Sequence, residues 1–440
     1  MKKFLLILSL LAILLVFASC GSSDYQIVIP ENATVTEQYA AENLSAIIED
    51  YFDVKLNIVK DTEKEQKNEI LIGETNRDES KTDTAFSQMQ FLLHKINNKI
   101  VIKGDGIYIG ASCGKLVNEH MSVNEGKLIF ENLDKRDIYT YQTPEKCDSV
   151  IFMIGDGMGD AHISLGEKKR GFSFVAKQFP YKGTSITRSQ TVIEGLGTYT
   201  DSAASGTAMS TGYKTYNGYL GLDKNGEFIP NVRELAASVG AKTAVLTTDK
   251  ITGATPSAYL AHNASRENSM ELENEINSLI EQNKIDYCLG NAGFALTSET
   301  KIALNKISKD KSKFFIMIEE GWIDKQAHYN NLASTADMVQ RFNDSIEYAT
   351  QFALMHPNTA LIVTADHETG KLVESTYFKD GFSFMSDEHT NQDVSIFALG
   401  AGTECFHGKK VENVELAKFV ASVYSSEPFG MNVDELKPAA

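Results

Sequence analysis

The chain has 440 residues, 42% of them hydrophobic. At roughly 150 residues per domain this suits two or three domains with a sizeable core, and it excludes a disordered chain or a small disulfide scaffold. Lys and Arg number 42 against 59 Asp and Glu, a net charge of −17, and no block of like charges reaches the length of a nucleic-acid-binding tail. That field argues against a nucleic-acid-binding domain, and any anionic substrate must be met by local positive charge such as metal ions or one placed arginine.

Lys2 and Lys3 precede an apolar run from Phe4 to Phe17, broken only by Ser9, and Ala18 and Ser19 then lead into Cys20. This is the pattern of a secretory signal over residues 1–20. About 14 apolar residues fall short of the roughly 20 that a spanning helix needs, so a permanent transmembrane anchor is not expected. The small residues ending on Cys20 resemble a bacterial lipoprotein processing site. That resemblance implies export to the periplasm or cell surface and a membrane partner reached through a lipid on Cys20. Cys113, Cys147, Cys288 and Cys405 show no CxxC or zinc-finger spacing, which excludes a thiolate metal site and leaves disulfides and free core cysteines both open.

From Tyr25 the pattern predicts a strand (25–29), an amphipathic helix (36–51), a strand (54–59) and, past a polar loop, a strand at 69–73. Residues 99–103 and 107–110 flank Gly104-Asp105-Gly106 and read as a hairpin. Residues 24–110 thus form a small α/β domain, and 111–146 a connector. From Cys147 the character changes. Continuous apolar runs at 149–154, 243–246, 314–318, 361–365 and 395–399 alternate with helical patterns such as 232–239, 270–282 and 335–354. Runs without alternation belong to strands covered on both faces, so 147–430 is read as a mostly parallel α/β sheet with helices on both sides.

In such sheets ligands lie beyond the carboxyl ends of the strands. Asp156 ends the first run, Glu319 the third with Asp324 and His328 close behind, Asp366 and His367 the fourth, and His389 stands ahead of the last. Asp324 and His328 are four apart and share one helix face. A lone Asp after a strand is commonly only a helix cap. Seven such residues on one sheet edge read instead as a metal centre, in which mixed His and Asp ligands suit zinc and carboxylates with a hydroxyl suit magnesium. The segment Gly197–Gly218 puts Ser202 before a small-residue helix, where backbone N–H groups and the dipole favour a developing alkoxide. No general base is evident near it in the chain, but a bound metal can lower a serine's pKa.

Six strings, VIFMIGDGMGD, YTDSAASGTAMSTGYKTYNG, ATPSAYLAHNASR, EEGWIDKQAHYNN, VTADHETG and DEHT, occur in order across roughly residues 147–428. Together they resemble the alkaline phosphatase family. The resemblance implies hydrolysis of phosphate monoesters, with inorganic phosphate as a product, and Ser202 as the nucleophile of a phosphoserine intermediate. It implies two zinc ions, one on Asp324, His328 and His389 and one on Asp156, Asp366 and His367. One magnesium would sit on Asp156, Thr255 and Glu319. Arg266 would clamp two phosphate oxygens, oriented by Asp201, and Lys325 would stand near the phosphate.

The family assembles as dimers in many members, so a homodimer is compatible with the resemblance. Two departures stand out. Gly253 occupies a position where members place an acidic or histidine side chain near the magnesium, so Lys325 is expected to lack a carboxylate partner. The stretch from Arg266 to Glu319 is short, so elements covering the site are expected to be reduced. The competing readings are a phosphodiesterase or sulfatase of the same superfamily and a non-catalytic glycan-binding surface lipoprotein. The arginine clamp, the absence of a CxPxR context and the complete ligand set favour the phosphatase.

Overall fold

The computed structural model describes residues 21, 22, 24–81 and 83–436; the expected signal and Cys20 lie outside them. The N-terminal part is built from β1 (Gln26–Ile29), α1 (Val35–Phe52), β2 (Ile58–Lys60), β3 (Glu69–Ile72), β4 (Gln90–Ile96), β5 (Lys99–Gly104), α2 (Ile109–Lys115) and β6 (Asp137–Thr140). Its sheet order is β6-β4-β5-β3-β1-β2, parallel from β5 to β2, with β4 and β6 antiparallel to their neighbours. Helix α1 opens on a Thr34/Glu37 capping box and stops at Asp53, which turns left-handed at φ 55.

The hairpin expected around Gly104-Asp105-Gly106 lies elsewhere. β4 turns into β5 through Asn97 and Asn98, and Asn97 takes φ 55, which Asn tolerates better than most residues. Gly104–Gly106 instead redirects the chain from β5 into α2. Residues 111–146 enter the same core: Cys113, Leu116, Val117, Leu128, Phe130 and Leu133 pack with Ile27, Leu44 and Ile70.

The larger part contains β7 (Ser149–Gly155), α3 (Asp160–Arg170), β8 (Tyr181–Ile186), α4 (Ser202–Thr211), β9 (Lys242–Thr247), α5 (Ala254–Leu260), β10 (Tyr287–Leu289), β11 (Phe314–Glu320), α6 (Trp322–His328), α7 (Leu332–Met355), β12 (Thr359–Thr364), β13 (Val394–Leu399), β14 (Lys410–Glu412) and α8 (Val414–Tyr424). The sheet order is β10-β9-β11-β7-β12-β13-β8-β14. The first five strands are parallel and β13 runs antiparallel to β12. Every residue of β7, β11 and β12 is buried, which is why these runs show no alternation. Ile151, Met153, Ile316 and Ile318 pack under α7 residues such as Ile346 and Phe352, while Val150, Phe152, Phe315 and Met317 face Ala258 of α5 and Val420 of α8. Doubly covered strands of this kind bury the apolar area that drives folding.

The N-terminal part packs its helices α1 and α2 on α7, with Phe91, Tyr108 and Ala111 joining the core on that side. Thr36 donates to Glu347 of α7 at 2.5 Å. Among the described residues no helix is long and apolar enough to cross a membrane, and the four cysteines are free thiols.

Candidate active site

Register and strand direction set the site. Thr247 pairs with Glu319, Glu319 with Ile154, and Ile154 with Thr364, so Asp156 and Asp366 extend past the same edge of the sheet. β13 runs the opposite way, so the segment that enters it brings His389 to that edge as well. Helix α6 starts directly after β11 and carries Asp324 and His328 on successive turns.

Two ligand groups result, one of Asp156, Asp366 and His367 and one of Asp324, His328 and His389, the ligand atoms of each lying within 4.8 Å of one another. His367 Nε2 lies 3.1 Å from Asp366 Oδ2 and 3.7 Å from Asp156 Oδ1. His328 Nε2 and His389 Nε2 lie 3.4 and 3.5 Å from Asp324 Oδ1. The His367 and His389 rings stack with centroids 3.7 Å apart, so the two groups adjoin.

Each histidine is held by its other nitrogen. His389 Nδ1 donates to the Thr200 carbonyl at 2.8 Å and His328 Nδ1 to the Asp387 carbonyl at 2.5 Å. His367 Nδ1 donates to the Thr369 hydroxyl at 3.2 Å, and that hydroxyl donates to Asp324 Oδ1 at 2.5 Å. A carbonyl can only accept, so His389 and His328 carry a proton on Nδ1, and Nε2 is the atom each turns toward the centre, the one a metal would take. Thr369 ties one group to the other and was missed in the sequence.

Ser202 is the first residue of α4, and Asp201 is its cap: Asp201 Oδ1 accepts from the Ala204 N–H at 2.9 Å. The serine hydroxyl is thereby left out of the cap, and its Oγ lies 3.1 Å from His367 Nε2. The small residues of α4 have a packing reason, since a side chain at Gly206 would meet Ala258 Cβ at 3.2 Å and Thr255 Cα at 3.4 Å on α5. That close approach sets Thr255 beside the helix that carries Ser202. Arg266 is positioned by its N–H on the Gly218 carbonyl at 2.9 Å and by Nη1 on Asp201 Oδ2 at 3.3 Å.

Four carboxylates crowd this buried volume. Burial pushes Asp156 well up, with Asp366, Asp324 and Glu319 adding repulsion. Burial also raises Asp366 to about 6 and Glu319 to about 8, the latter with Asp249 and Asp366 adding to it against a hydrogen bond from Thr247. Asp324 is held well below the usual carboxylate range because hydrogen bonds from His328 and His389 outweigh its burial. Asp156 Oδ1, Asp366 Oδ2 and Thr255 Oγ1 are buried with no hydrogen-bond partner. Unpaired oxygens, repelling carboxylates and imidazole Nε2 atoms turned inward are a donor set that fits divalent cations.

One expectation is corrected. Lys325 does not lack a carboxylate: its Nζ pairs with Asp249 Oδ1 and lies 4.9 Å from the Trp322 ring centre. Asp249 follows β9 by two residues, as Asp156 and Asp366 stand past Ile154 and Thr364. The run 243–246 ended the sequence reading one polar pair too soon; applying the strand-end rule past Thr247 and Thr248 would have found it.

The sheet, the edge cluster and the serine together define a phosphoester hydrolase with an α/β fold. The alkaline phosphatase family profile matches residues 147–293 and 278–383, more than half of the chain. The chain belongs to the alkaline phosphatase family. It is 28% identical over 342 residues to alkaline phosphatase 4 of Bacillus subtilis, covering 63% of this chain and 71% of that protein. It is 24% identical over 380 residues to alkaline phosphatase of Escherichia coli, covering 57% of this chain and 81% of that one. The solved alkaline phosphatase of the Antarctic bacterium TAB5 superposes with a TM-score of 0.58 at 27% identity, covering 64% of this chain and 99% of the TAB5 chain.

Proposed function

We propose that the chain hydrolyses phosphate monoesters through a phosphoserine on Ser202, with residues 147–430 as the catalytic domain and 24–146 as a non-catalytic appendage. Asp324, His328 and His389 would hold one zinc, Asp156, Asp366 and His367 a second, and Asp156, Thr255 and Glu319 a magnesium. Magnesium in the M3 site of a TAB5 enzyme variant supports a third cation. Such ions supply Lewis acidity, lowering the pKa of the serine and of water and neutralising charge on the leaving oxygen.

The observation that carries the reading is Ser202 Oγ at the α4 N-terminus, 3.1 Å from His367 Nε2 at the edge of the buried ligand group. The oriented N–H groups and dipole of α4 favour the serine alkoxide. Ser202 gives up its hydroxyl proton and its Oγ forms the new O–P bond while the ester oxygen leaves with its electron pair and takes up a proton to become the alcohol. Water then attacks the phosphorus, and its proton ends on Ser202 Oγ as the O–P bond breaks and inorganic phosphate leaves. Arg266 grips two non-bridging phosphate oxygens with its planar fork while Asp201 holds the fork in place. A monoester offers that pair of oxygens together with a further charge, which favours it over a diester. Lys325 stands near this pocket, steadied by Asp249 and Trp322.

Export and attachment to a membrane through a lipid on Cys20 complete the reading. Chromogenic mono- and diester turnover, with chelation and zinc restoration, tests it. Monoester preference that vanishes with chelation and returns with zinc is expected; diester preference would overturn it.

A further inference from the structure

Gly253 takes φ −59 and ψ 160, a conformation open to any residue, so the backbone does not demand glycine there. The neighbours do. A Cβ on Gly253 would stand 3.1 Å from Asp249 Oδ2 and 2.9 Å from the Lys250 carbonyl, and a Cβ on Gly321 would stand 3.0 Å from Asp249 Cβ and 3.4 Å from Glu319 Oε2. Two glycines thus make room for the Asp249 side chain between β9 and β11. The Asp249 N–H donates to Thr247 Oγ1 at 3.0 Å, and that threonine hydroxyl bonds Glu319. Thr255 Oγ1 is buried beside Glu319 with no hydrogen-bond partner.

We propose that Asp249 is a positioning residue that replaces the side chain absent at position 253. One carboxylate oxygen fixes Lys325, and the other borders the cation site of Asp156, Thr255 and Glu319. The inference rests on the magnesium reading of that site. A carboxylate at 253 and one at 249 would compete for the same space, so the two are alternative solutions to one requirement. The rival is an ordinary half-exposed ion pair, whose loss would change little.

The test uses full-length, zinc-loaded protein and magnesium alone as the probe, read by titration calorimetry, with inorganic phosphate inhibition measured in parallel. Asp249→Asn is expected to weaken magnesium about tenfold, as loss of a supporting carboxylate does at other metal sites. Freed from its partner, Lys325 would lean toward the anion and tighten phosphate inhibition severalfold. Asp249→Glu, which keeps the charge, retains most of the magnesium affinity. Gly253→Asp alone gives no gain because it crowds both Asp249 and the Lys250 carbonyl. Equal magnesium affinity in wild type and Asp249→Asn would overturn the proposal, as would wild-type protein that binds no magnesium. Calorimetry needs no turnover, so absent monoesterase activity would sink the functional reading while leaving this result readable.

Discussion

Ser202 Oγ lies 3.1 Å from Nε2 of His367, a residue 165 positions along the chain. The contact attaches the serine to the group of Asp156, Asp366 and His367, all buried, rather than to Asp324, His328 and His389, of which both histidines are partly open to solvent. The asymmetry suits a division of labour. On the proposed function the closed group would activate the serine, and the open group would meet the departing alcohol and the incoming water.

Thr369 should matter although it touches no substrate. Its hydroxyl accepts from His367 and donates to Asp324, so Thr369→Val leaves one imidazole and one carboxylate free to turn. Zinc affinity is expected to fall about 10- to 100-fold, measured by competition with a chromogenic chelator. Unchanged affinity would show that packing alone fixes the ligands.

Arg266→Lys keeps the charge and loses the fork. Phosphate inhibition should weaken about tenfold and the monoester-to-diester ratio should narrow. An unaltered inhibition constant for inorganic phosphate would remove Arg266 from the substrate pocket.

Four of the five apolar runs belong to parallel strands, with 395–399 antiparallel; they were legible because buried strands carry no alternation, and ligands at the parallel ends follow from sheet geometry. What escaped was held by distance or by polar spacing. The Ser202–His367 contact joins segments that no local pattern connects. Asp249 hides behind Thr247 and Thr248, polar residues that close the apolar run before the strand edge is reached. The hairpin between β4 and β5 turns on Asn97-Asn98, while the more conspicuous Gly104-Asp105-Gly106 serves a strand-to-helix bend. Local turn chemistry shows that a turn exists but not which elements it joins.

His356 links stability to pH away from the site. It ends α7, donates from Nδ1 to the Phe352 carbonyl at 2.8 Å and stacks on that ring with centroids 3.8 Å apart. Burial depresses its pKa to about 4, against about 6.5 when unfolded. The folded state therefore refuses a proton that the unfolded chain accepts. Full stability is present above about pH 6.5 and falls as pH drops toward 4, by up to about 3 kcal/mol from this group. His356→Leu should flatten that slope in thermal melts between pH 7.5 and 5. Parallel slopes in the two proteins would show that the ring is not the source.

The most direct measurement is the covalent intermediate itself. Wild-type protein turning over a phosphate monoester, quenched in acid and mapped by peptide mass spectrometry, should carry one phosphoryl group on Ser202 and none elsewhere. Ser202→Ala should carry none and lose at least about 10³-fold in turnover while keeping its zinc. Full turnover by Ser202→Ala, or steady turnover by the wild type with the phosphoryl group on another residue, would contradict the account.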